Sequence, residues 1–90
     1  FPDMKRRAKE QWMGIFLDLQ IKAENAEIST KALDLRGLMA AARTVRQGLS
    51  PALALQMGIV NKCFDMFEKE IVRDVVVTRI PEDWTREDVF

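Results

Sequence analysis

The chain has 90 residues, 48% apolar and 31% charged, with 14 basic and 14 acidic side chains and a formal net charge of zero. That is one small domain, or a piece of a larger one, with an ordinary globular mix and no overall field to draw it to nucleic acid or an anionic membrane. Histidine is absent and Cys63 is the sole cysteine. This removes His-activated nucleophiles, internal disulfides and the usual zinc sites.

The first segment is a helix from about Asp3 to Ala23. Met4, Ala8, Trp12, Ile15, Phe16, Leu19 and Ala23 recur at steps of three and four, an apolar stripe for the core. Lys5, Arg6, Arg7, Lys9, Glu10, Asp18 and Lys22 lie largely off it and form a solvated face. No aromatics alternate with these cations, so they do not make a nucleic-acid patch.

Glu24-Asn25-Ala26-Glu27 is a polar joint. A second helix follows from about Thr30 to Gln47, with Ser29 as its cap. Its core stripe is Leu35, Leu38, Met39, Ala42, Val45 and Leu49. Gly37, Ala40, Ala41 and Thr44 make a second side small enough for another helix to approach closely. Gly48 ends the helix by supplying the left-handed residue.

Ser50-Pro51 is a cap followed by a first-turn proline. The third helix, Pro51 to about Lys62, is apolar almost all round (Leu53, Ala54, Leu55, Met57, Ile59, Val60). Such a helix belongs in the middle of a bundle. Cys63-Phe64 closes it. Asp65 caps a fourth helix, and Glu68 three residues on predicts an acidic capping box. Phe67, Ile71 and Val75 lie four apart, with Val72 and Val76 beside them. Val75-Val76-Val77 is β-branched and leaves a short strand open, but no partner strand is evident, so the helix is carried to about Thr78. Pro81 stops it. Thr85 and Asp88 resemble one more cap. The fold expected is all-α, a small bundle of four main helices with short joints, sequential helices packing as neighbours. Residues 1–80 form the domain. Residues 81–90 are a tail that begins a further element, with Trp84 either anchoring it to the bundle or packing on a part of the protein missing here. The opening Phe1-Pro2-Asp3 and the close at Phe90 in mid-pattern suggest a piece of a longer protein.

Lys31 stands in the first turn of the second helix, where the helix dipole disfavours a cation by about 0.3–1 kcal/mol. Helix N-termini hold anions, and a bound phosphate would reverse that sign. The plain alternative is a weak pair with Asp34, one turn on. Arg36 and Arg43, seven apart on one side of that helix, and Arg46 beyond them could meet a phosphate or a neighbouring subunit, or simply face solvent. Cys63 is a small buried side chain rather than a nucleophile. The carboxylates cluster at joints and helix starts, where capping places them, and none is read as catalytic. The four glycines (14, 37, 48 and 58) make no phosphate-cradling loop. No segment approaches the ~20 apolar residues of a membrane span.

Glu27-Ile28-Ser29-Thr30-Lys31-Ala32-Leu33 resembles the start of a lid helix in AAA+ ATPases of the MoxR-like group. Leu35 and Ala40 to Arg43, the Gly48–Pro51 joint into an apolar helix, and Asp65-Met66-Phe67-Glu68 opening the last one are similar in order. The resemblance covers about Ile15 to Ile80. It implies a C-terminal helical lid that closes over ATP and Mg2+ held by a missing core domain. Lys31 stands at the second-sensor position, as a lysine instead of the usual arginine, able to supply a point charge but no bidentate fork. It further implies a cytoplasmic, ring-forming, chaperone-like ATPase whose lid contacts the core, the neighbouring subunit and, through the ring, a client protein. The fragment alone would not hydrolyse ATP. Two competing classes are a stand-alone helical protein-interaction adaptor and a helix-turn-helix nucleic-acid binder. Zero net charge and an apolar recognition helix weigh against the second.

Overall fold

A computed structural model describes residues 1–30, 35–63 and 65–90. The expectations placed on Lys31, its pairing with Asp34 and the closing Phe64 lie outside these residues. Every regular element among the described residues is helical: α1 (Arg6–Glu24), α2 (Leu35–Arg46), α3 (Pro51–Gly58), α4 (Met66–Arg79) and the short α5 (Arg86–Val89), with a 3-10 turn at Val60–Lys62 between α3 and α4. Val75–Val77 belongs to α4, so the β-branched run is helix. Four main helices make a small bundle, as the periodicity requires. The Cα radius of gyration is 12.2 Å, the value of about 12 Å expected when a chain of this length collapses around one core.

The helix ends follow local chemistry. Gly48 has φ +118°. The Leu49 N–H donates to Thr44 O at 3.2 Å and the Gly48 N–H to Val45 O at 2.9 Å, the paired bonds of a Schellman motif. α1 ends in the same motif without a glycine. Ala26 takes φ +60°, and the N–H groups of Glu27 and Ala26 donate to Lys22 O and Ala23 O at 2.9 and 3.1 Å. Across this turn Lys22 Nζ lies 3.7 Å from Glu27 Oε1, an ion pair where the motif usually has an apolar contact.

Three expected caps fare differently. The Asp65 carboxylate accepts the Phe67 N–H at 2.8 Å, a working cap. Ser50 has the extended backbone of a cap before Pro51, but its hydroxyl makes no capping bond; Pro51 itself, with no N–H and its φ already helical, suits the first helical position. Ser29 precedes residues outside the description. Its own N–H donates to Glu68 Oε1 at 2.6 Å. That bond also corrects the capping box expected at the start of α4: Glu68 reaches across to the α1–α2 joint instead of back to Asp65.

The core runs through Ile15 and Leu19 of α1, Val45 of α2, Leu55 of α3, Val60 of the 3-10 turn, Val72 of α4 and Val89 of α5, each fully buried. Burying a side chain of this size contributes about 1.5–3 kcal/mol. Residues 81–90 join this core: Trp84 and Val89 are buried, and the Lys5 N–H donates to Val89 O at 2.7 Å. The Arg7 guanidinium lies over the Trp84 ring, 5.2 Å from its centre.

The pairing of helices departs from neighbour-by-neighbour packing. α2 lies tightly on α3, while α1 packs chiefly on α4, and α1 and α2 touch only sparsely. The α2–α3 contact uses the small side seen in the sequence. A Cβ added at Gly58 would stand 2.8 Å from Gly37 O and 3.2 Å from the Ala41 Cβ. The α1–α4 pair is tied by Arg79, whose Nε and Nη2 donate to Asp18 Oδ2 and Oδ1 at 2.9 and 3.1 Å. The guanidinium lies directly on Gly14, where a Cβ would meet Nη1 at 2.5 Å.

Candidate functional site

Because α2 leans on α3, a groove stays open between α1 and α2. Its volume is about 570 Å³. Met4, Trp12, Met13 and Phe16 form one wall, Leu35, Leu38, Met39 and Ala42 the other, and Phe1 and Pro2 close one end. Lys9 is its one charged lining residue among those described. Trp12 is anchored by donating from Nε1 to Leu38 O at 3.0 Å, the direct bridge between the two walls.

This groove corrects the core stripe expected for α2. Leu38, Ala42 and Val45 are buried, but Leu35 is 56% and Met39 40% exposed. The stripe is apolar throughout, yet only its α3-facing half finds a partner. On α1, Met13, Leu17 and Ile21 repeat every four residues and are all exposed. They sit beside the predicted stripe and widen the apolar face beyond what the core consumes. The same holds at Leu53 and Met57 of α3, so that helix is not enclosed on all sides as its composition suggested. Phe67, expected in the core, is 78% exposed. Phe67 stands in the first turn of α4, before the stripe reaches the core at Ile71, Val72, Val75 and Val76.

The structure separates the basic residues of α2. Arg46 is structural: it pairs with Asp3, and its guanidinium lies 4.7 Å from the centre of the Phe1 ring and 5.1 Å from that of Phe90. Those rings meet edge to face at 6.2 Å. The Arg46 carbonyl accepts from Arg86 Nε at 2.7 Å. Arg46 therefore clamps both ends of the chain to the end of α2, a role that its spacing from Arg43 does not reveal. Arg36 and Arg43 are exposed and make no ion pair with a described residue. They share the flank of α2 next to Leu35 and Met39, by helix periodicity.

Cys63 is half-buried, with its Sγ 3.7 Å from Ile59 O. Burial pushes its thiol pKa up, and the Glu68 charge pushes the same way while Lys69 opposes both. A thiol held protonated is a poor nucleophile, so geometry and electrostatics agree with its small-side-chain role. The Glu68 and Glu70 carboxylates lie apart in use, Glu68 being engaged by Ser29. Thr85 N–H donates to Asp88 Oδ2 at 2.8 Å, placing that acid in a capping box. Among the described residues no group of three or more His, Cys, Asp or Glu could hold a metal ion. No described helix is long and apolar enough to cross a membrane.

The site thus assembled is an apolar, methionine-lined groove, flanked on α2 by two cations that make no ion pair with a described residue. No protein-family model matches the chain, and no curated protein or solved structure matches it.

Proposed function

We propose that this chain is the C-terminal helical lid of a MoxR-like AAA+ ATPase, closing over ATP and Mg2+ held by a core domain and coupling hydrolysis to the remodelling of a partner protein. The observation that carries the reading is the uncovered apolar face of α1. Met13, Leu17 and Ile21 form an exposed ladder on a helix whose opposite side is already in the core. A lid that docks on a core domain and on the next subunit of a ring needs such a face. The resemblance of the Ser29-Thr30-Lys31-Ala32-Leu33 segment adds the second-sensor assignment of Lys31. In this reading Lys31 supplies a point charge to the γ-phosphate, and loss of that phosphate frees the lid to rotate as a rigid body. Arg36 and Arg43 remain available for the phosphate or the adjacent subunit. The ATPase works in the cytoplasm.

The test is Lys31→Ala in the whole ATPase, with turnover and fold followed together. Slower ATP hydrolysis with unchanged helicity supports the reading. Unchanged turnover returns Lys31 to a pairing with Asp34. A reading frame lacking a Gly-rich phosphate loop and an acidic strand upstream of Phe1 would remove the lid reading and favour the stand-alone adaptor.

A further inference from the structure

We infer that the α1–α2 groove is a docking site for an amphipathic helix of a partner polypeptide, one with acidic residues along the flank that faces α2. Four observations converge on this occupant. The groove runs beside two helices along Lys9–Phe16 and Leu35–Ala42. Eight residues of helix span about 12 Å, so the seat is two to three turns long, the size of an apolar helix face. Its walls carry three of the chain's five methionines, Met4, Met13 and Met39. Methionine is unbranched and polarizable, and it suits a surface that must repack around an inserted side chain.

Charge selects the partner's sign. Lys9 lines the groove, and Arg36 and Arg43 project from the adjoining flank of α2, exposed and without an ion pair to a described residue. Among the described residues, three acids of the first helix and the segment before it are already engaged: Asp3 by Arg46, Glu10 by Arg6 and Asp18 by Arg79. A helix with glutamates along its α2-facing edge would find complementary charges, and one with lysines there would meet like charges. A second copy of this chain would bring the mixed charges of its own α1 ladder, Lys9 with Glu10, Asp18 and Glu24, instead of a continuous acidic edge. The inference rests on the groove and the basic flank of α2, and its failure would leave the lid reading untouched.

The experiment uses the full chain and a synthetic helical peptide of about four turns, with leucines at i, i+3, i+4 and i+7 and glutamates along one flank. The control peptide carries lysines in place of the glutamates. Binding is read by peptide anisotropy and by Trp12 fluorescence in a Trp84→Phe background. At about 0.05 M salt the acidic peptide is expected to bind at least about tenfold more tightly than the basic one, and the preference should shrink at about 1 M salt. Arg36→Glu with Arg43→Glu should invert the preference. Met39→Asp should abolish binding of both peptides, with helicity by circular dichroism unchanged. Equal binding of the two peptides would overturn the proposal, as would no binding at about 1 mM. Concentration-dependent self-association lost in Met39→Asp would overturn it too, since the occupant would then be a second copy.

Discussion

The two Schellman turns make a paired prediction with opposite signs. α1 ends on Ala26 at φ +60° and α2 on Gly48 at φ +118°, with the same pair of backbone hydrogen bonds closing each. A left-handed conformation costs a residue with a Cβ about 1–2 kcal/mol. Replacing alanine by glycine removes that cost but adds about 0.4–1 kcal/mol of chain entropy to the unfolded state. Ala26→Gly should therefore stabilise the protein by about 0.5–1 kcal/mol. For a domain of this length that raises the melting temperature by roughly 2–8 °C. Gly48→Ala reverses both terms, adding the strain and removing the chain entropy, and should destabilise by about 0.5–1 kcal/mol. Nothing lies within 4 Å of a Cβ at Gly48, so its penalty is backbone strain without a clash. Urea and thermal unfolding followed by circular dichroism measure both variants, each with an unchanged m-value. If Ala26→Gly is neutral or destabilising while Gly48→Ala behaves as expected, the α1 terminus is not held in this turn.

Gly58→Ala should destabilise by about 1–3 kcal/mol, because its Cβ would meet the Gly37 carbonyl, a backbone atom that yields only if α2 moves off α3; the urea midpoint reads this. Trp12→Phe removes the bond to Leu38 O and should cost about 1–2 kcal/mol, with a larger effect on groove-sensitive peptide binding than on melting. Cys63 should react with iodoacetamide at pH 8 more slowly than a free cysteine, since burial and Glu68 raise its pKa; a rate equal to the free thiol would refute this. The sign of the linkage follows: the thiol's contribution to stability is complete below the unfolded value of about 8.5 and is lost as the pH rises through the folded pKa.

The helical class and the approximate bounds of the first and fourth helices were legible because each carries a 3.6-residue apolar period and a local stop signal; the third helix, expected to run to about Lys62, ends at Gly58 and passes into a 3-10 turn. Gly48 announced its turn, since a glycine after a periodic run has few other uses there. Ala26 did not: alanine is the best helix former, and only the tertiary course of the chain forces it into the left-handed well. Glu68 was misread for a similar reason. Three residues after a cap, a glutamate has a local partner in reach, but Ser29, 39 residues away in sequence, offers an exposed N–H at 2.6 Å. Sequence spacing sees the first competitor and not the second. Helix pairing was illegible in the same way. Small residues on α2 showed that some helix comes close, but which one depends on Gly58 meeting Gly37 and Ala41.

The groove is the consequence of that pairing. An apolar period in a sequence marks residues that disfavour water, without saying whether this chain or another one covers them. Leu35 and Met39 follow the same period as Leu38 and Ala42, yet the first two stay open and the last two are buried. The distinction arises because α2 can face only one neighbour closely. Its small side takes α3, so the large side is left with a gap that the Trp12 side chain crosses to reach Leu38 O. Filling that gap by pulling α2 onto α1 would separate Gly37 and Ala41 from Gly58 and forfeit the tightest helix contact in the bundle. The open groove is therefore a structural consequence of the small-residue contact, and variants that loosen α2 from α3 should alter the groove as well. Gly58→Ala tests the coupling: beyond its cost in stability, it should change the affinity for the acidic peptide although residue 58 does not line the groove. An affinity unchanged in a folded Gly58→Ala protein would show that the two contacts of α2 are independent.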